Sequence, residues 1–587
     1  MLCLVPMLFL VGCTYLPQNE TEVNDLLVEG QETKISEQDA FNTFKTVLFS
    51  ENSDNVFENR NDKVKLVSAL NYYADKMIDF ENRNEDVPRE LELKYLLLKD
   101  KADVIGNQIL TSEVNYRNVD GLKKEYTEEL NKSITDYNIE LNVDGIEITE
   151  YLGNKTSVEI PETLGGFAVT GIGENSFYES NLDSVNIPDS VTYISRFAFT
   201  RNNLTEIHLG ENIKSISNAA FSGNKLSNVK IPNSVEVIES SSFSHNQISN
   251  VEFGKNVTEI GNLAFMSNNL TAVTIGDTVE KIGDAAFSTN KITSLTLGKE
   301  LKTLGARAFE NNLLTQVNIG DTVENIGRKA FYANNLHTVV IGNKVKTIGE
   351  EAFLQNKITK LTLGQSVIDI GANAFASNEL TELVIPDLVE KIGSYAFEYN
   401  NISTLQLGAS IHTLGYGAFR YNEITSISIP ASLSTIGTYA FNNNKISELV
   451  IPKTVTKIDN NAFSSNNLTK LEIPDSVTTL GDAVFSRNNL TEVVIPNSIT
   501  EISNDLFKEN KLEKVTIPNS VTKIGSSAFN NNNLKSLVLS DNVVSLGAAA
   551  FSNNSSLEYV ELNKNTTYST DGYKPTFDSK TVVKTRP

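Results

Sequence analysis

The chain has 587 residues, of which 40% are hydrophobic and 21% charged, with a net charge of -23 at pH 7. That balance excludes a multi-span membrane protein and a disordered tail. Residues 1–150 carry 30 acidic and 15 basic side chains against 43 and 35 in the remainder, with no local basic patch, so no nucleic-acid partner is expected. Both cysteines, Cys3 and Cys13, lie at the extreme N-terminus, which leaves no thiolate metal site or internal disulfide beyond residue 13. The four histidines (His208, His245, His337 and His412) are far apart and in different phases of the repeat described below, so they read as surface variants and not as a zinc cluster or catalytic triad.

Residues 2–11 (LCLVPMLFLV) are nearly all apolar. The run is too short to span ~30 Å of hydrocarbon as a helix and suits the core of a signal peptide. Leu10-Val11-Gly12-Cys13 resembles the bacterial lipobox, although no Lys or Arg precedes the apolar run. The resemblance implies that residues 1–12 are a lipoprotein signal peptide and that Cys13 is the lipidation site. The membrane partner is then reached through lipid on Cys13, and the chain sits in the bacterial cell envelope, facing outside the cytoplasm. Residues 13–35 are polar and acidic and read as a tether.

Residues 36–140 have helical periodicity and read as an acidic bundle of three or four helices. Ser36-Glu37-Gln38-Asp39 has the form of an N-cap with an acidic first turn. Phe41, Phe44, Val47 and Leu48 share one face. Leu66, Val67, Leu70, Tyr73, Met77 and Phe80 form a second stripe, Leu93, Leu96, Leu97, Ile105 and Ile109 a third, and Leu122, Tyr126, Leu130 and Ile134 a fourth. These stripes are expected to be the core of the bundle.

From Phe177 onward Phe recurs every 22 residues, without insertion, through Phe551. A fixed period of this length marks a repeat architecture and overturns the several domains that length alone suggests. One unit from Ala264 reads AFMSNNLTAVTIGDTVEKIGDA. Relative to the Phe, apolar residues stand at +5, +8, +10, +14 and +17, Asn at +3 in all units but the first, and Pro or Gly usually at +11. The Val273-x-Ile275 alternation predicts one short strand per unit with one face inward. Pro or Gly ends that strand. The Asn is expected to bond neighbouring backbone groups and form a ladder up the stack. A lone unit must order 22 residues around about six apolar side chains, so units fold only when stacked.

The pattern Asn-x-Leu-Thr-x-Val-x-Ile-Pro-x-Ser-Val-x-x-Ile-Gly-x-x-Ala-Phe, present with local substitutions from Asn510 through Phe529, resembles the BspA-like, or treponemal-type, leucine-rich repeats. The resemblance covers residues 143–587. It implies a leucine-rich-repeat solenoid of short parallel β-strands in a right-handed superhelix, preceded by the small α-helical region. Residues 141–176 resemble the family's irregular first coil, with about five extra residues around Leu164-Gly165-Gly166; residues 177–556 are the 22-residue repeats; residues 557–587 break the register and read as a C-terminal cap. With ~19 coils at ~4.8 Å per strand step, the solenoid is expected to be ~90 Å long.

The frequent glycines are repeat punctuation and form no Gly-x-Gly-x-x-Gly phosphate loop, and the Asp and Asn of the turns lack a calcium-loop pattern. The reading is therefore not an enzyme, with no cofactor, metal or small-molecule substrate. Residues at +7 and +9 are expected to face outward on the concave side. Val340, Val384, Val450, Val494 and Val538 occupy +9, near Lys360, Glu382, Glu448, Lys470, Glu492 and Lys514 at +7. Mixed apolar and charged spots suit a protein ligand, although β-branched residues also simply suit strands. A second candidate is a tyrosine cluster, Tyr395, Tyr399, Tyr416, Tyr421 and Tyr439, with Arg420 and Glu398 beside it, read as a protein or glycan contact. The resemblance implies adhesion or host interaction; the alternative is an envelope-associated scaffold or spacer without a host ligand.

Overall fold

The computed structural model describes residues 35–49, 60–83, 86–108, 119–570 and 574–586. The signal peptide, Cys13 and the tether up to residue 34 lie outside the described residues, as does Ile109. The chain forms two compact units, residues 1–199 and 200–587.

In the first unit four helices, α1 (Glu37–Phe49), α2 (Arg60–Asn82), α3 (Arg89–Gln108) and α4 (Val119–Ser133), precede the strands. Ser36 is the N-cap of α1: its Oγ accepts a hydrogen bond from the Asp39 amide at 3.0 Å and donates to the Asp39 carboxylate at 2.6 Å. Phe41, Phe44, Leu66, Leu70, Tyr73, Leu93, Leu97, Tyr126 and Leu130 are buried, so the four stripes do make a core. The helical stretch ends at Ser133, short of residue 140. Tyr137–Asn142 is instead a strand, β1, because Tyr137-x-Ile139-x-Leu141 alternates at period two and pairs antiparallel with β2 (Gly145–Tyr151).

The extra residues of the first coil form a hairpin. Strands β4 (Thr163–Leu164) and β5 (Phe167–Ile172) flank Gly165 and Gly166, with φ of 54° and 83°, after the short strand β3 (Ser157–Glu159). Two successive positive φ values are the hairpin geometry that glycine admits. A Cβ on Gly165 would stand 2.3 Å from Leu130 Cδ1. The hairpin delivers Phe167, fully buried, edge-on to Phe41 at 4.7 Å, to Phe44 at 6.4 Å and to Tyr126 at 6.3 Å. Strand β5 then pairs parallel with β2 and with Tyr193–Ile194. Tyr151 stacks on Phe177 at 5.2 Å, and Phe177 on Phe199 at 4.8 Å.

In the second unit each coil places +5, +8, +10, +14, +17 and the Ala-Phe pair inward, as Leu270, Val273, Ile275, Val279, Ile282, Ala286 and Phe287 illustrate. The expected strand is there: Ala272–Thr274 pairs in parallel register with Ser294–Thr296. A second column of two-residue strands, such as Lys281–Ile282 against Thr303–Leu304, was not legible beforehand. Two residues are too few to express a period-two pattern, so these positions read only as an apolar pair.

The Asn ladder is fully formed. The Asn290 side-chain amide donates to Phe265 O of the preceding coil at 2.9 Å and to Phe287 O and Ser288 O of its own, while its Oδ1 accepts from the Leu270 amide at 3.1 Å. Each such Asn is buried yet has its polar atoms partnered, which removes the cost of burying an amide. Two residues per coil, at -2 and +2 from the Phe, adopt left-handed backbone, as Ala285 (φ 53°) and Thr289 (φ 57°) do. That conformation turns their N–H groups along the stack, where they bond Ala306 O at 2.7 Å and Glu310 O at 2.9 Å, offsetting the strain.

The expected cap is a further turn of the same solenoid. Tyr559–Asn563 pairs parallel with Leu537–Val538 and with Val582–Arg586. Phe577, 26 residues after Phe551 instead of 22, stacks on it at 5.5 Å and extends the ring column.

Candidate functional site

The outward strand face comes first. Within each three-residue strand the central side chain is inward and its neighbours point to solvent, as in Glu382–Val384, Glu448–Val450, Glu492–Val494 and Lys514–Thr516. Val384 is 61% exposed, Val450 75%, Val494 63% and Val538 72%; Val340 is less so, at 36%. In-register pairing sets Val450 beside Ser428 and Val494 beside Thr516, and the exposed Glu472 holds the same position between Val450 and Val494, so polar and charged residues separate the valines up the column. Coils rise by about 4.8 Å, which puts Val450, Val494 and Val538 about 10 Å apart, on every second coil. Lys470 stands, exposed, between Glu448 and Glu492 in the +7 column, in a coil whose residues 470–472 make no strand pairing among the described residues.

The tyrosines lie on another edge of the coil, at the turn around the Phe. Four of the five, Tyr395, Tyr399, Tyr421 and Tyr439, occupy left-handed positions, with φ between 53° and 58°. The cluster is two files and not one patch. Tyr399 stacks on Tyr421 at 4.7 Å and 6°, while Tyr416 meets Tyr395 edge-on at 5.1 Å and lies tilted against Tyr439 at 5.2 Å. Arg420 joins the files: its guanidinium carbon lies 4.5 Å from the Tyr421 ring centre and 4.9 Å from that of Tyr439. It also donates from Nε to Asn442 Oδ1 at 3.0 Å and pairs with Glu398 at 3.5 Å. Burial raises the pKa of Glu398 above the ordinary carboxylate value, and Arg420 opposes that shift. Tyr399 is 53% exposed and Tyr416 is exposed; Tyr395, Tyr421 and Tyr439 are half-buried, so part of the cluster is packing over the turn.

These coils are copies of one unit that a family model describes directly. The BspA type leucine rich repeat region matches residues 150–271, 258–380, 368–491 and 478–573. The chain belongs to that family. A BspA-type chain of this kind is a parallel-strand solenoid, a scaffold suited to binding. Among solved structures, a leucine-rich repeat protein from Bacteroides ovatus is 17% identical, covering 77% of this chain and 99% of its own, with a TM-score of 0.39. The pneumococcal vaccine antigen PcpA is 19% identical over 58% of this chain and 100% of its own, with a TM-score of 0.37. A leucine rich cell surface protein from Faecalibacterium prausnitzii is 22% identical over 73% and 93%, with a TM-score of 0.28. No curated protein matches the chain.

All four histidines of the BspA-type region are exposed and sit in separate coils. Among the described residues no cluster of His, Cys, Asp and Glu could hold a metal ion, and no helix is long and apolar enough to cross a membrane. Two clefts escaped the sequence reading. One, of 570 Å³ in the first unit, lies among Phe41, Tyr72, Tyr73, Phe80 and Lys94; Lys94 pairs with Glu90 at 2.8 Å and lies 5.2 Å from the Phe41 ring centre. The other, of 380 Å³, lies beside Tyr421 and Tyr439. Both are made by residues distant in sequence with no shared motif, so no spacing announces them.

Proposed function

We propose that this chain is a cell-surface lipoprotein, held by lipid on Cys13, whose solenoid binds another macromolecule through its outward strand face, in adhesion or host contact. The observation that carries the reading is the column of exposed valines at Val384, Val450, Val494 and Val538, flanked by Glu and Lys. Isolated exposed apolar residues are ordinary, but four recurring at fixed positions on a rigid ladder form a preorganised surface. Membership of the BspA-type family supports a binding scaffold over a catalyst. The lipobox-like Leu10-Val11-Gly12-Cys13 supports the anchor.

The test offers the purified chain to animal matrix proteins and, in parallel, to isolated bacterial envelope polymers. Saturable binding to a matrix protein, weakened about tenfold or more when Val450, Val494 and Val538 are changed together to Glu, supports the reading. Binding only to envelope polymers, or binding indifferent to the three changes, overturns it. The anchor is tested separately: Cys13→Ser should abolish incorporation of labelled fatty acid in cells.

A further inference from the structure

We propose that the 380 Å³ cleft on the turn edge is a binding site for a neutral, hydroxyl-rich oligosaccharide, separate from the strand face. Its shape follows from a fall in side-chain bulk along two columns. Two residues after the Phe the coils read Tyr421, Asn443, Ser465 and Arg487; two before it they read Tyr439, Asn461, Ala483 and Asp505. Large groups close both ends, and the floor sinks in the middle at Ser465 and Ala483. A volume of 380 Å³ falls within the roughly 300–1,000 Å³ typical of small-ligand sites and is too small for a folded partner.

The lining selects the ligand class. Its cations are already neutralised: Arg420 pairs with Glu398 at 3.5 Å, Arg487 with Glu509 at 3.2 Å and Lys508 with Asp505 at 3.1 Å. A polyanion would have to displace these carboxylates, whereas a neutral ligand need not. The sides offer the amides of Asn443 and Asn461 and the floor the Ser465 hydroxyl, groups that both donate and accept, as sugar hydroxyls do; Ser464 and Ser486 are buried and already bonded within the chain. The floor carries no large apolar side chain, which disfavours an acyl chain or an apolar peptide. One end wall is rigid, because Tyr421 is fixed by Tyr399 at 4.7 Å and by Arg420 at 4.5 Å. A fixed wall lowers the ordering cost of binding.

The repeat supplies its own safe test variants. Ser465 (φ 57°) and Tyr421 (φ 54°) occupy the same coil position in the same backbone conformation, as do Ala483 (φ 56°) and Tyr439 (φ 57°). Ser465→Tyr and Ala483→Tyr therefore fill the cleft with a side chain the coil already accommodates. The full chain is titrated calorimetrically with cellohexaose, chitohexaose and maltohexaose, and with heparin as the polyanion. Saturable binding of at least one neutral hexamer, weakened about tenfold or more in either variant with the melting temperature unchanged, is the expected result. Binding of heparin alone, neutral binding unaffected by both variants, or no binding of any hexamer overturns the proposal. The triple Glu variant of Val450, Val494 and Val538 should bind the hexamer normally, so failure of the strand-face reading and failure of this one are distinguishable.

Discussion

The two aromatic cores of this chain use the same rings in opposite ways. In the helical region Phe167 meets Phe41, Phe44 and Tyr126 edge to face, and Phe44 meets Tyr126 likewise, at interplanar angles of 62–69°, while Phe41 and Phe44 are tilted at 37°. In the solenoid Phe287 and Phe309 lie 4° from parallel at 5.3 Å, and Phe419 and Phe441 2° at 5.6 Å. Rings on helices and a hairpin reach one another from independent backbones and can take the edge-on arrangement that their quadrupoles favour. Rings on stacked coils inherit one orientation from a repeated backbone. Periodicity, and not the preference of the ring pair, sets their geometry. The backbone repeat that sets this orientation is itself tied from coil to coil by the Asn ladder.

The ladder gives the largest expected effect. In Asn378→Asp the Oδ1 acceptor for the Ile358 amide survives, but the donors to Phe353 O at 3.0 Å and Phe375 O at 3.1 Å become an oxygen. A buried carboxylate facing carbonyls should cost about 4 kcal/mol locally. A long stack need not unfold in one step, so the readout is amide hydrogen exchange: protection of Ile358 and its neighbouring coils should fall sharply. Unchanged protection there would mean that backbone stacking alone holds the coils.

Removing a ring is comparable in size and sharpens the contrast. Phe353→Ala and Phe167→Ala should each cost about 3–5 kcal/mol as large-to-small core changes. They should differ in reach. Phe353 touches only Phe331 at 5.3 Å and Phe375 at 5.1 Å within its column, so faster exchange should stay in adjacent coils. Phe167 packs against rings of α1 and α4, so its loss should loosen the helices together. Confinement of both effects to a few residues would erase the distinction.

The same contrast explains what was legible in the sequence. Phe177 to Phe551, the Asn at +3 and the inward +8 and +10 positions announce themselves because each is stated many times over. Phe167 is stated once; it reads as part of an irregular coil, and only the Gly165-Gly166 hairpin turns it into the centre of the helical core. Phe577 was missed because four extra residues put it out of register. The left-handed positions left no trace, since residues as different as Leu263, Ser267, Tyr395 and Glu351 occupy them and glycine does so only at Gly223 and Gly417 among the repeats. The tyrosines could be placed in neighbouring coils from spacing alone, whereas the bridging role of Arg420 and the cleft beside it depend on side-chain directions that spacing does not carry.

The smallest effect concerns Glu398, where the regular coil and the tyrosine cluster meet. Burial raises its pKa, with Arg420 pulling the other way, so the net environment of the folded state disfavours the charged form. A carboxyl whose pKa rises on folding binds its proton more tightly in the native state. The penalty is present above the raised pKa and fades as pH falls through it. Glu398→Gln should therefore leave the protein equally stable or slightly more so at pH 7, by less than about 0.5 kcal/mol after allowing for solvent screening, and the difference should shrink on acidification. Melting curves at neutral and acidic pH measure this. A drop of several degrees at pH 7 would show instead that the Glu398–Arg420 pair at 3.5 Å outweighs the burial cost, and that the cluster is held by charge as much as by its rings.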